Sequence, residues 1–327
     1  MKDLIAQFTQ QLADALRIGD SSKLNPTKKE LQNIVITGLG GSGIGGKIVS
    51  QLVKDEIKVP IIINNGYHLP AFVNEKTLVI VSSFSGNTEE TLEAMKIAQE
   101  RGAEIACITS GGKILELAQA NNYNHIVLPS CHSPRAMLTY SLTQQFYLLQ
   151  HYGFIGDSFK NSIKKAIELI DKNIEDIKAE ALKIAQGLKG KTPVIYSDEN
   201  YEGVAVRLRQ QLNENAKILC WHHYLPEMNH NELVGWAGGK EEYAVILFRN
   251  DTDYSRTQRR MEISKEVIEK YTSTHFEVWS KGNDAIEKSL YLIVLGDWIS
   301  IFLAEILNVD PIEIKVINYL KGELAKI

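Results

Sequence analysis

Residues 82–91 read SSFSGNTEET, and this stretch decides how the rest of the chain is read. It follows the apolar run 77–81 and opens a helical pattern that continues to residue 100. Four hydroxyl side chains (Ser83, Ser85, Thr88, Thr91) and a Gly-Asn step therefore fall where a strand becomes a helix. The first turn of a helix offers unpaired backbone N–H groups and a partial positive charge, so it holds anions well. Hydroxyls add donors without fixed charge. A nucleotide-binding loop of this kind would carry Gly-Lys-Ser/Thr for the charge of a triphosphate. This stretch has no lysine, which points to a monophosphate.

Outward from that loop, short apolar runs alternate with helical patterns. Residues 34–37, 59–64, 78–81, 105–109 and 126–128 read as strands, with helices over 46–54, 88–101, 114–120 and 136–152. The second half repeats the scheme, with strands expected at 193–196, 217–220, 244–248 and 276–279 and helices at 202–212, 259–271 and 284–307. A charged helical stretch, 157–188, lies between the halves. Short apolar strands alternating with amphipathic helices predict parallel sheets covered on both faces. The expected organisation is two α/β domains, 1–153 and 154–327, with a crevice between them as the natural place for a site.

Composition limits the function classes. The 327 residues allow two domains, and 44% hydrophobic with 23% charged residues is a globular profile. A net charge of −4 gives no basic excess for nucleic acid or an anionic membrane. Three scattered cysteines form neither a disulfide framework nor a paired-Cys metal motif, which suits a cytoplasmic location. The N-terminal segment is amphipathic rather than signal-like. The apolar stretch 291–307 carries Asp297 and Glu305 and reads as a buried helix, not a membrane span.

Four further stretches could carry chemistry. GLGGSGIGG at 38–46 places Gly41 and Ser42 in a glycine-rich loop after the first strand; Gly38, Gly40 and Gly43 also fit a dinucleotide fingerprint. The second strand, however, ends in Asn64-Asn65, where such a fold would place an acid. Arg135 in Ser133-Pro134-Arg135-Ala136 could stabilise an anion, or stand as a surface arginine. Glu214, in QLNENAK at 211–217, reads as a loop acid between a helix end and a strand; taken alone it is an ordinary helix-end carboxylate, at a crevice a general base. WHHYLPEMNHNELVGW at 221–236 holds His222, His223 and His230 but no zinc spacing, so one catalytic histidine among structural ones is the better expectation.

Taken together, GGSG, SFSGNTEET, SPRA, NENAK, NHNELVGW and a lysine near the C-terminus make the chain resemble the bifunctional phosphoglucose/phosphomannose isomerases, which carry two sugar-isomerase (SIS) domains. The resemblance spans nearly the whole chain. It implies two SIS-type α/β/α sandwiches, each around a mainly parallel sheet. It also implies cofactor-free interconversion of glucose 6-phosphate, and of mannose 6-phosphate, with fructose 6-phosphate through an enediolate. Carried over position by position, it puts the phosphate cradle on Ser83, Ser85 and Thr88, with Gly41 and Ser42 nearby. Arg135 falls at the enediolate-stabilising arginine and Glu214 at the base. His230 falls at the ring-opening histidine, which the family supplies from the neighbouring subunit of a homodimer. The C-terminal lysine is assigned to Lys321, with Lys315 the alternative, and a threonine of the family upstream of it has no clear counterpart here. The competing readings are a non-catalytic sugar-phosphate sensor, an NAD-dependent oxidoreductase built on GLGGSG, and an enzyme of an aminosugar phosphate.

Overall fold

The computed structural model describes residues 1–324 and 326. Its first sheet has five parallel strands: β1 (Asn33–Thr37), β2 (Ile61–Asn64), β3 (Thr77–Ser82), β4 (Glu104–Thr109) and β5 (Asn124–Val127), in the order β2-β1-β3-β4-β5. The second has four parallel strands, β6 (Thr192–Asp198), β7 (Trp221–Leu225), β8 (Tyr243–Arg249) and β9 (His275–Trp279), in the order β7-β6-β8-β9. In both sheets the chain starts inside, steps to one edge, then returns past its first strand to build the other side. The loops after β1 and β3 therefore stand side by side, as do those after β6 and β8.

The helices are α1 (Lys2–Ala6), α2 (Phe8–Ser21), α3 (Gly40–Leu52), α4 (Glu89–Glu100), α5 (Gly112–Ala120), α6 (Leu138–His151), α7 (Ser158–Leu188), α8 (Glu202–Ala216), α9 (Glu232–Gly235), α10 (Ser255–Ile268), α11 (Ala285–Leu307) and α12 (Lys315–Leu324). Strand side chains alternate between two faces. Ile34, Ile36, Leu78 and Ile80 point to one core, shared with α3 and α6, while Val35, Val79 and Val81 point to a second under α4 and α5. The second sheet divides likewise: Ile195 and Ile246 join the first core beside α7, α8 and α11, whereas Val194 and Val245 pack with Met261 of α10. The first core thus runs through both halves. The apolar α11 is long enough to cross a membrane, yet it is buried against α7 and α8.

Three local expectations give way. Helix α3 starts at Gly40, not at 46, so the glycine-rich stretch is its first two turns. Glycine is a poor helix former, but here the helix lies too close to β1 for side chains: a Cβ at Gly46 would sit 2.8 Å from Ile36 Cγ2, and one at Gly43 would sit 2.4 Å from the Gly38 oxygen. Glu214 lies inside α8, which runs through Ala216. No strand forms over 217–220; the pairing strand is β7, four residues later, at the sheet edge. Its half-buried sequence, Trp-His-His-Tyr-Leu, is less apolar than the Ile-Leu-Cys run before it.

Candidate functional site

The C-terminal ends of the neighbouring strands β1 and β3 lead into the N-termini of α3 and α4. Ser42, in the first turn of α3, accepts a hydrogen bond on Oγ from the Phe84 N–H at 3.3 Å, which ties the two loops together. Ser83 Oγ lies 2.8 Å from Thr88 Oγ1 and accepts from the Gly86 N–H at 3.2 Å. Thr88 is the residue before α4 and makes no side-chain cap, so its hydroxyl is turned to Ser83 rather than to the helix. Ser85 stands exposed at the tip and accepts from the Asn87 N–H at 3.3 Å. Gly86 has a φ of +68°, and a Cβ there would lie 1.8 Å from the Gly111 oxygen, so only glycine lets this loop lie on its neighbour. Two helix N-termini and these hydroxyls thus make a cradle of a kind that suits an anion, with no lysine in either loop.

Arg135 borders the cradle. It sits in a 3-10 turn, Pro134–Met137, and the Cβ direction of Gly41 ends 3.9 Å from Arg135 Cα. Its guanidinium is buried. Nε donates to Asn215 Oδ1 at 2.9 Å, Nη1 to Glu214 Oε2 at 3.0 Å, and Nη2 to the Pro311 carbonyl. Three of the five guanidinium donors are committed, which leaves one N–H on each terminal nitrogen unengaged among the described residues. Burial pulls the guanidinium below the usual arginine range, partly opposed by the Glu214 carboxylate. Glu214 is about one third exposed, and among the described residues only its Oε2 is engaged by a protein donor. A cation thus lies against a carboxylate whose other oxygen is unengaged among the described residues.

Beneath this pair lies a second layer. Arg207 of α8 is 2% exposed; it donates to the Arg135 carbonyl at 2.6 Å and pairs with Asp297 of α11 through Nε–Oδ1 at 3.2 Å and Nη2–Oδ2 at 3.1 Å. Gln211 donates to the same carboxylate at 2.9 Å. Burial raises Asp297, and the Arg207 charge counters it. Asn215 in turn donates to Ser300 Oγ at 2.9 Å. Sequence reading missed Arg207 and Pro311 altogether and took Asn215 only as a turn-favouring neighbour of Glu214, not as a partner of Arg135. It noted Asp297 only as an interruption of an apolar stretch, although an acid in an all-apolar helix signals a buried partner.

Of the sequence-derived candidates, the structure brings together Gly41, Ser42, Ser83, Ser85, Thr88, Arg135 and Glu214. His230 ends a 3-10 turn after β7 and is exposed; Lys315 and Lys321 lie on α12, which buries no residue. Among the described residues no hydrogen bond or ion pair joins these three to Glu214 or Arg135. The other two histidines have structural partners: His222 Nε2 lies 3.6 Å from Glu202, and His223 Nδ1 accepts from the Tyr224 N–H at 2.8 Å. Among the described residues no three His, Cys, Asp or Glu side chains are grouped so as to hold a metal ion.

The SIS domain family matches residues 29–152, and the family described as the bacterial phospho-glucose isomerase C-terminal SIS domain matches residues 177–324. A bifunctional phosphoglucose/phosphomannose isomerase from Caldicellulosiruptor bescii is 36% identical over 100% of this chain and 99% of its own length. The chain belongs to the bifunctional phosphoglucose/phosphomannose isomerase family. Within that frame, a D-glucosamine-6-phosphate 4-epimerase from Sulfolobus acidocaldarius is 34% identical over 69% of this chain and 71% of its own. Among solved structures, the C-terminal domain of glucosamine-fructose-6-phosphate aminotransferase from Francisella tularensis superposes with a TM-score of 0.74 at 15% identity, covering 94% of this chain and 96% of that one. That likeness shows the tandem-SIS fold, as the family membership requires.

Proposed function

We infer that this member of the family is an aldose–ketose isomerase that interconverts glucose 6-phosphate, and mannose 6-phosphate, with fructose 6-phosphate. The observation that carries the reading is the Arg135–Glu214 pair at the mouth of a lysine-free anion cradle. The cradle of Ser42, Ser83, Ser85 and Thr88 holds the phosphate, and the binding energy of this remote group orients the reacting carbons. Glu214 removes the C2 proton of the open-chain aldose. The C–H electron pair becomes the C1–C2 double bond, and the carbonyl pair moves onto O1. Arg135 offers its remaining N–H groups to the enediolate oxygens. Glu214 then returns the proton to C1, with a proton passing from O2 to O1, to give the ketose; return to the other face of C2 gives the epimeric aldose.

His230 and a C-terminal lysine, Lys321 rather than Lys315, complete the ring-opening machinery, with His230 delivered by the second subunit of a homodimer. Support comes from unpartnered apolar side chains on the two elements concerned. Val316, Tyr319 and Leu320 of α12 are 81%, 70% and 56% exposed, and Val234 beside the His230 turn is 76% exposed. We place the domain boundary at 153/154, where α6 has ended, and the enzyme in the cytoplasm. The epimerase relative favours one second reading, an aminosugar phosphate as substrate, so glucosamine 6-phosphate belongs in the assay.

A subunit-mixing experiment tests the reading. Glu214→Gln and His230→Ala should each abolish isomerisation while still binding fructose 6-phosphate. Unfolded and refolded together in equal amounts, they should recover about a quarter of wild-type activity, because each mixed dimer carries one intact site. Near-normal turnover by Glu214→Gln would sink the mechanism, and no recovery on mixing would sink the shared site.

A further inference from the structure

Helix α8 ends one residue after Asn215, and the residue that caps it is not glycine. Lys217 takes the left-handed conformation, φ 59° and ψ 34°. That conformation is costly for a residue with a side chain, and glycine is the usual solution at a helix end. Lys217 uses it to fold its side chain back over the end of the helix, where its ammonium donates to the Glu214 carbonyl at 2.5 Å. The charged groups that act on this ammonium come from three elements: Arg135 of the 3-10 turn, Glu214 of α8, and Asp310 and Glu313 of the segment before α12. Burial and the Arg135 charge hold the ammonium below the usual lysine range, and the three carboxylates oppose them. Arg207 adds its charge to the same group of residues through Arg135. A side chain kept in a strained conformation beside a reacting pair, where glycine would cap the helix without strain, has a use other than capping.

We propose that Lys217 is a positioning residue for Glu214: its ammonium fixes the last turn of α8 through the Glu214 carbonyl and sets a second positive charge beside the Arg135–Glu214 pair. This rests on Glu214 being the proton-transferring base. With its ammonium on the Glu214 carbonyl, Lys217 holds the last turn of α8 so that the free carboxylate oxygen stays aimed at C1 and C2. Asp310 and Glu313 pull the other way on the ammonium.

The left-handed backbone separates this role from a structural one. Lys217→Gly removes the charge and relieves the strain together, so a merely structural lysine would be replaced at no loss. The experiment compares wild type, Lys217→Gly and Lys217→Arg by thermal melting and by kcat/KM against pH with glucose 6-phosphate. Lys217→Gly should melt at or above the wild-type temperature, lose about tenfold in kcat, and move the acidic limb of the profile up by about 0.5–1 pH unit. Lys217→Arg should keep the wild-type limb. An unshifted limb in Lys217→Gly, or a loss of activity that follows a loss of stability, would overturn the role of Lys217 and leave the isomerase reading intact. A wild-type enzyme inactive on every hexose phosphate would overturn both.

Discussion

Replacing Arg207 with methionine should damage the protein twice, by routes that can be measured apart. Arg207 and Asp297 are 2% and 3% exposed, so the variant strands a carboxylate in the core with Gln211 as its only remaining donor among the described residues. Breaking a buried ion pair from one side costs about 3–5 kcal/mol. For a chain of 327 residues, with an unfolding entropy near 2.1 cal/mol/K per residue, that is a fall in Tm of about 4–7 °C. Arg207→Met/Asp297→Leu removes both charges and should regain most of this loss. Activity should not follow, because the Arg135 carbonyl has still lost its 2.6 Å donor and the 3-10 turn that aims the guanidinium is loosened. The assays are thermal and urea unfolding alongside steady-state isomerisation of fructose 6-phosphate, with kcat expected to stay at least tenfold down in both variants. If the double variant is no more stable than the single one, the pair does not offset its own burial. If it recovers full kcat, Arg207 has no part in orienting Arg135.

Ser83→Ala removes a hydroxyl that meets both Thr88 and Gly86; it should raise KM for glucose 6-phosphate about 10-fold or more, the cost of a hydrogen bond to a charged group, and leave kcat within a few-fold. A collapse of kcat at saturating substrate would contradict a purely anchoring cradle. Asp253, after β8, is raised to about 7 by burial and by the nearby Asp198. Between about pH 4 and pH 7 the folded protein therefore holds a proton that the unfolded chain has released, and stability falls as pH rises through that window. Asp253→Asn should remove this slope and gain about 2–3 kcal/mol at pH 8 relative to pH 5; urea unfolding at the two pH values checks it, and an unchanged slope refutes it.

The alternation of apolar runs with helical patterns was enough to read two parallel sheets, because strands buried on both faces leave unbroken apolar runs such as Ile34-Val35-Ile36 and Leu78-Val79-Ile80-Val81. The meeting of Ser83 with Thr88 was legible because both hydroxyls lie in one short loop, whereas Ser42 reaches that loop across 42 residues. Pro311 and Arg207 were not, because their contacts with Arg135 cross 176 and 72 residues and leave no local pattern. Helix α3 was misread because a close approach to β1, visible only in three dimensions, overrides the low helix propensity of Gly40, Gly41 and Gly43. The strand expected at 217–220 failed because the run Ile-Leu-Cys covers a helix end, while the true edge strand is half polar.

The way Arg135 is held has a consequence for the order in which the molecule is made. All five strands of the first sheet and both loops of the cradle come from the first 127 residues, through contacts short enough in sequence to form early. The guanidinium waits: Glu214 and Asn215 arrive about 80 residues later, and the Pro311 carbonyl only when the chain is nearly finished. Lys2 pairs with Glu305 at 2.8 Å, so the first helix is also fastened by the last part of the chain. In order of synthesis the two hydroxyl loops therefore precede Glu214, and the contacts of Arg135 are complete only when the segment bearing Pro311 joins the fold.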